Sequence, residues 1–191
     1  MKVEISYTFD ASELGGQNLV TFEELYDLKN PEEPVKVAEH KDIDDEGQTV
    51  LITERKISIH TTATDKNGKK EMEAGKDLTI VVTVTLEGLE IGTKYKLSGW
   101  QMIKEENAKL IIDGKEVTND YEFTADKENM EVQIEFTFDG NTLGGKQLVT
   151  FEELYDMTNP EEPKKVTEHK EINDEGQTVT IKEVPETPTP E

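Results

Sequence analysis

The chain contains no cysteine. Disulfides, thiol nucleophiles and cysteine-ligated zinc are therefore excluded. Basic residues are scarce: 21 Lys and Arg stand against 43 Asp and Glu, for a formal net charge of −22. So acidic a chain repels nucleic acid and anionic membranes, and neither is expected as a partner. Arginine occurs once, at Arg55, tryptophan once, at Trp100, and aromatics make up 6% of the residues. Binding hot spots draw on Trp, Tyr and Arg, so a strong protein-binding face is disfavoured. No run of residues has the length of a membrane-spanning helix, and MKVEISYTFD has no apolar stretch of the signal-peptide kind. Neither membrane insertion nor an export signal is expected of these residues. Hydrophobic residues are 33% of the chain. So lean a core suits small β-domains with polar outer faces.

What the chain does have is an internal repeat. Thr8 to Ile52 aligns without gaps to Thr137 to Ile181, at an offset of 129, with 33 of 45 positions identical. Each copy carries VTFEELYD, NPEEP and an acidic loop, EHKDIDDEGQTV in the first and EHKEINDEGQTV in the second. The stretch between the copies, roughly 56–129, occurs once. The expected organisation is the C-terminal half of a preceding repeat at 1–55, a complete repeat at 56–183 and a Pro/Thr/Glu-rich linker at 184–191. Met1 aligns with Met130, inside a predicted strand, so the chain reads as a cut from a tandem array. A half-repeat must leave a sheet edge unpaired.

The local patterns are those of strands. KDLTIVVTVTLEGL is a long β-branched run, and EVQIEFTFDG places Val132, Ile134, Phe136 and Phe138 on one face. KYKLSGWQMI, KQLVTFEELYDM, KKVTEH and QTVTIKEV complete a set of about seven strands in one unit. The expected fold is all-β, an Ig-like antiparallel β-sandwich used as a tandem-repeat module.

Two of these strands carry a polar residue on the apolar face. In KISIHTTATDK, Ile57 and Ile59 face the core, so Thr61 and Ala63 follow, while Ser58, His60 and Thr62 point outward. In GQTVTIKEV, Val179 and Ile181 point inward, and so does Gln177. A buried Thr and a buried Gln each need a partner. Either the two hydrogen-bond each other or they react.

The motifs VTFEELYD, EHKxIxDEGQTV and IHTTATD, in this order and spacing, resemble those of the VaFE-repeat, or Thr–Gln ester-bond, domains of Gram-positive surface-anchored adhesins. The resemblance covers nearly the whole chain, with the first copy as a truncated repeat. It implies an Ig-like sandwich in a cell-wall-anchored, extracellular stalk, flanked by further repeats, with host ligands bound by other domains. It also implies a spontaneous intramolecular ester, formed with release of ammonia and without a cofactor or metal. Carried over, Thr61 is the nucleophile (with Thr62 as the alternative), Gln177 the electrophile, and Glu152 and His169 the acid/base pair. Thr needs its proton drawn away, and the Gln amide needs a polarised carbonyl and a protonated leaving nitrogen. Holding the pair together supplies the effective molarity. The equivalent positions in the truncated repeat are Glu23, His40 and Gln48. In one respect the chain departs from the family: where the resemblance implies an Asp in the strand after the Thr, it has Val82.

Such a reaction consumes its own side chains once, so no enzyme with turnover is expected. A different class of function is a sandwich that grips a host ligand without any cross-link; the few aromatics and the single Arg count against it. In DIDDEG, Asp42, Asp44 and Gly47 do not match the spacing of a calcium loop, and a solvated acidic turn is expected instead.

Overall fold

The computed structural model describes residues 2–11 and 13–183. The linker expected at 184–191 lies outside them. The chain divides into two compact units, Met1–Lys56 and Ile57–Glu191.

Among the described residues, the first unit holds four short strands: β1 (Asn18–Val20), β2 (Glu23–Asp27), β3 (Val35–His40) and β4 (Thr49–Leu51). They form two separate pairs, β1 with β4 and β2 with β3.

The described residues of the second unit hold twelve: β5 (Ser58–Thr64), β6 (Glu71–Glu73), β7 (Leu78–Glu87), β8 (Lys94–Ile103), β9 (Ala108–Lys109), β10 (Ile111–Ile112), β11 (Lys115–Glu116), β12 (Thr118–Thr124), β13 (Met130–Phe138), β14 (Gln147–Asp156), β15 (Lys164–His169) and β16 (Thr178–Lys182). One sheet runs β12-β8-β14-β16-β6, with β15 beside β14 and β9 beside β8; the other runs β13-β7-β5. Their inner faces make one core, as in a sandwich of the Ig type. Period-2 patterning builds it. Along β7, Ile80, Val82, Val84 and Leu86 have no exposed surface. Along β13, Val132, Ile134, Phe136 and Phe138 are buried while Glu131, Gln133, Glu135 and Thr137 are exposed.

Two features depart from the sequence reading. The pairing of β16 with β6 is parallel, whereas an antiparallel sandwich was expected. After β5 the chain turns at Asp65, whose Oδ1 accepts from the amides of Asn67 (2.8 Å) and Lys69 (2.7 Å). It then crosses to the other sheet and runs alongside β16. The second feature is β12, which closes one edge by pairing with β8 over its whole length. Its sequence, TNDYEFT, is almost entirely exposed, so it carries no apolar period to read.

Candidate functional site: a buried threonine, glutamate and glutamine

Three polar residues lie in the core where the two sheets meet: Thr61, Glu152 and Gln177, each with no exposed surface. Each is placed by a different element. β5 alternates strictly, with Thr61 and Ala63 buried and Ser58, His60 and Thr62 exposed. Thr62 is on the opposite face from the site. In β14, Glu152 is buried and Glu153 turns outward to Lys170 (2.6 Å) and Lys165 (3.4 Å). Gln177 leaves a turn made by Asp174, whose Oδ1 accepts from the amides of Gly176 (2.6 Å) and Gln177 (3.3 Å). Thr178 Oγ1 donates to the Asp174 carbonyl at 2.6 Å. This Asx-type turn aims the Gln177 side chain inward.

The strand bearing Thr61 is tied directly to that turn. The Ala63 amide donates to the Gly176 carbonyl at 2.9 Å. Lys70 Nζ bridges the same two segments, donating to the carbonyls of Ala63 (2.7 Å) and Gly176 (2.6 Å). A Cβ at Gly176 would stand 2.9 Å from Asp174 Oδ1 and 3.1 Å from the Thr61 carbonyl oxygen, so a side chain there would crowd the turn.

Glu152 Oε2 joins the other two residues. It accepts from Thr61 Oγ1 at 3.0 Å and from Gln177 Nε2 at 3.2 Å. Gln177 Nε2 also donates to the carbonyls of Thr150 (2.6 Å) and His169 (2.9 Å), and its Oε1 accepts from the Glu171 amide at 3.4 Å. The second carboxyl oxygen of Glu152 is buried without a hydrogen-bond partner. Burial pushes the Glu152 carboxyl up to about 8 against the bonds from Thr61 and Gln177, and the charge of Asp174 adds to the rise. Glu152 is therefore mainly a neutral acid at pH 7.

His169 stands directly across from Glu152 in the β14–β15 register. Its ring hydrogen-bonds Asp174 rather than Glu152, with Nε2 2.9 Å from Oδ2. What it presents to Gln177 is its backbone carbonyl. The exposed His60 ring stacks on it at 5.9 Å. Burial opposes ionisation of Asp174, but the Gly176 amide, His169 and the Gln177 amide outweigh it and hold the carboxyl below its usual range. Val82 is wholly buried opposite Ala63, and the residue facing Thr61 across the β5–β7 pair is Val84. The core-facing positions of β7 thus offer no acid, and Glu152 alone serves both Thr61 and Gln177.

Sequence reasoning missed Asp174 and Lys70. An Asp three residues before an inward Gln is an Asx-turn signal, and it could have pointed to Asp174. Nothing in the sequence marks Lys70, which acts through backbone carbonyls of segments distant in the chain. Among the described residues no group of three or more acidic, His or Cys side chains could hold a metal ion.

The truncated copy reproduces half of this geometry. Gln48 Nε2 donates to the Thr21 carbonyl, to Glu23 Oε2 (2.9 Å) and to the His40 carbonyl (3.2 Å). His40 Nε2 lies 2.8 Å from Asp45 Oδ2. Glu23 is exposed here, and the unit has no counterpart of β5.

No curated protein matches the chain. Among solved structures, two crystal forms of a bacterial adhesin from Mobiluncus mulieris, containing intramolecular disulfide, isopeptide and ester bond cross-links, are similar in fold. They share 15% and 17% identity with TM-scores of 0.57 and 0.56, over 68% of this chain and 58% of theirs. The chain thus spans 58% of the length of those structures. The T-Q ester bond containing domain family matches residues 1–52 and again 57–181. With nearly every residue covered by these two matches, the chain belongs to the family of T-Q ester bond containing domains.

Proposed function

We propose that the second unit is a self-cross-linking spacer of an extracellular bacterial adhesin, a stalk module carried in series with neighbouring repeats and anchored to the cell wall through the parent protein. Host ligands are left to other domains. The observation that carries this reading is the single Glu152 oxygen shared by the Thr61 hydroxyl and the Gln177 amide in a site closed to water.

The chemistry is one acyl transfer. Thr61 Oγ1 attacks Gln177 Cδ, the C–N bond breaks, and ammonia leaves while the threonine hydroxyl gives up its proton. The neutral carboxyl of Glu152 supplies a proton to the leaving nitrogen and regains one from Thr61. The Glu171 amide faces Oε1, where negative charge develops. Asp174 and His169 hold the turn and the carbonyl that fix the Gln177 nitrogen. The reaction happens once per molecule, so the module is not an enzyme with turnover.

The product joins the first long strand of the unit to the last. Closing a loop of this length constrains the unfolded chain by roughly 5 kcal/mol. The mechanical gain is larger, since tension entering at β5 passes to β16 through a covalent bond and cannot unzip the sheets between them. The test is intact mass under denaturing conditions. The wild type should be one ammonia lighter than its sequence, and Thr61→Ala and Gln177→Ala should each show their full sequence mass. A wild type at full mass would leave a spacer held by packing alone.

A further inference from the structure

Thr61 lies in the three-stranded sheet, Gln177 lies just before the last strand of the larger one, and each hydrogen-bonds Glu152 Oε2. The distance from Thr61 Oγ1 to Gln177 Cδ is therefore set by how β5 sits against the turn at 174–177. β5 is the end strand of its sheet, with β7 along one edge. At its other edge the Ala63 amide reaches the Gly176 carbonyl. A third segment grips both. Lys70 follows the Asp65 turn, and its own carbonyl accepts from the Thr180 amide at 2.8 Å, which fixes its backbone to β16. Its Nζ donates to the carbonyls of Ala63 (2.7 Å) and Gly176 (2.6 Å). One of these carbonyls lies two residues beyond Thr61, and the other immediately before Gln177. In a chain with 43 Asp and Glu, this ammonium is aimed at two neutral carbonyls. Burial holds the Lys70 pKa below the usual lysine range, and the charge of Asp174 opposes the fall.

We propose that Lys70 is a positioning residue of the cross-link: by gripping both carbonyls it holds the Thr61 hydroxyl within reach of the Gln177 amide carbon. This rests on the acyl transfer proposed for that pair. The Lys70 bonds go to backbone carbonyls, so it exchanges no proton with the reacting groups, and the bonds made and broken are unchanged. With the bridge, β5 and the turn are joined by the ammonium as well as by the Ala63 amide. Without it, the amide and the stack of His60 on His169 are left to hold an end strand in place. A misplacement of about 1 Å costs an intramolecular step roughly a hundredfold. The bridge also joins segments of both sheets, so it closes only once β5 and β16 have docked.

The experiment follows ammonia loss by denaturing mass after the full chain is diluted from urea, under conditions where urea melts show each variant folded. Lys70→Met keeps the apolar stem without the ammonium and should react about tenfold to a hundredfold more slowly than the wild type. The pH midpoint of its rate should stay at about 8, because Glu152 is untouched. Lys70→Arg can still donate to two carbonyls and should recover part of the rate. Leu110→Ala truncates a buried side chain between β9 and β10; it should melt in less urea, yet its folded molecules should react at the wild-type rate. In Thr61→Val, adding Lys70→Met should quicken hydrogen exchange at the Ala63 amide, which reads the loosened bridge without any ester. A Lys70→Met rate equal to that of the wild type, or slowed no more than Leu110→Ala, overturns the proposal and leaves the cross-link reading standing. A slowed rate whose pH midpoint has also moved overturns it too, since Lys70 would then act on the Glu152 proton and not on distance. A wild type that keeps its full sequence mass marks the failure of the cross-link reading itself, and the positioning role falls with it.

Discussion

The protonation of Glu152 sets a rate that can be measured. Its carboxyl is pushed up to about 8 by burial, and the proposed step uses the neutral form to protonate the leaving nitrogen of Gln177. Below pH 8 most molecules hold that proton and the rate of ammonia loss should be flat. Above it, the competent fraction falls tenfold per pH unit, so at pH 10 the reaction should run about a hundredfold below its plateau. The assay starts from chain made by cell-free synthesis and kept in urea, then diluted into buffers between pH 6 and 10. Samples are quenched in acid and weighed under denaturing conditions. In Glu152→Gln the amide oxygen can still accept from Thr61 and Gln177, but the acid is gone, and the chain should keep its full mass at every pH. A rate that climbs with pH through this range would refute the reasoning, because it would make the carboxylate, acting as a base on Thr61, the limiting species. Ammonia loss from Glu152→Gln at the wild-type rate would refute it independently.

The same proton links stability to pH. In Thr61→Val, which cannot form the ester, the folded chain keeps the Glu152 proton that the unfolded chain releases above its ordinary carboxylate range. The raised pKa means that stability is fully present below about pH 4.5 and is lost as pH rises towards 8, by up to about 1.4 kcal/mol per unit. Urea titrations across pH 5 to 8 should show this slope, and adding Glu152→Gln should flatten it. Gly99 faces Glu152 across the sheet, and a Cβ there would stand 2.7 Å from Phe136 Cζ and 3.7 Å from Glu152 Cγ. Gly99→Ala should therefore cost about 1–3 kcal/mol in urea melts and slow ammonia loss by displacing Glu152. Asp174→Ala removes the acceptor for the Gly176 and Gln177 amides and for His169. It should cost roughly 2 kcal/mol, read by thermal melts in the Thr61→Val background.

The two copies show how far sequence determines this fold and where it stops. Alternation in β13 and β5 placed Phe136 and Thr61 inward correctly, because period 2 is a property of the strand alone. Glu152 is the glutamate that the resemblance implies, and of the neighbours Glu152 and Glu153 it is the buried one. Local patterns could not show the parallel β6–β16 pair, the exposed edge strand β12 or the Lys70 bridge, since each depends on segments far apart in sequence. Residues 2–9 make the point most directly. Val3, Ile5, Tyr7 and Phe9 have the same alternation as β13, and in the second unit that alternation is a strand. In the first it is not, because a strand exists only through its neighbours and the counterpart of β7 is absent from the unit. The Gln48 turn persists all the same, with its Asx bond from Gly47 to Asp45 at 2.6 Å and its bonds to Glu23 and the His40 carbonyl. The cradle of the glutamine proposed as electrophile is local and folds from one half; the threonine proposed as nucleophile and the dry core come with the other. In the proposed chemistry, cross-linking therefore waits until the sandwich is complete, and the ester would record only a correctly assembled domain.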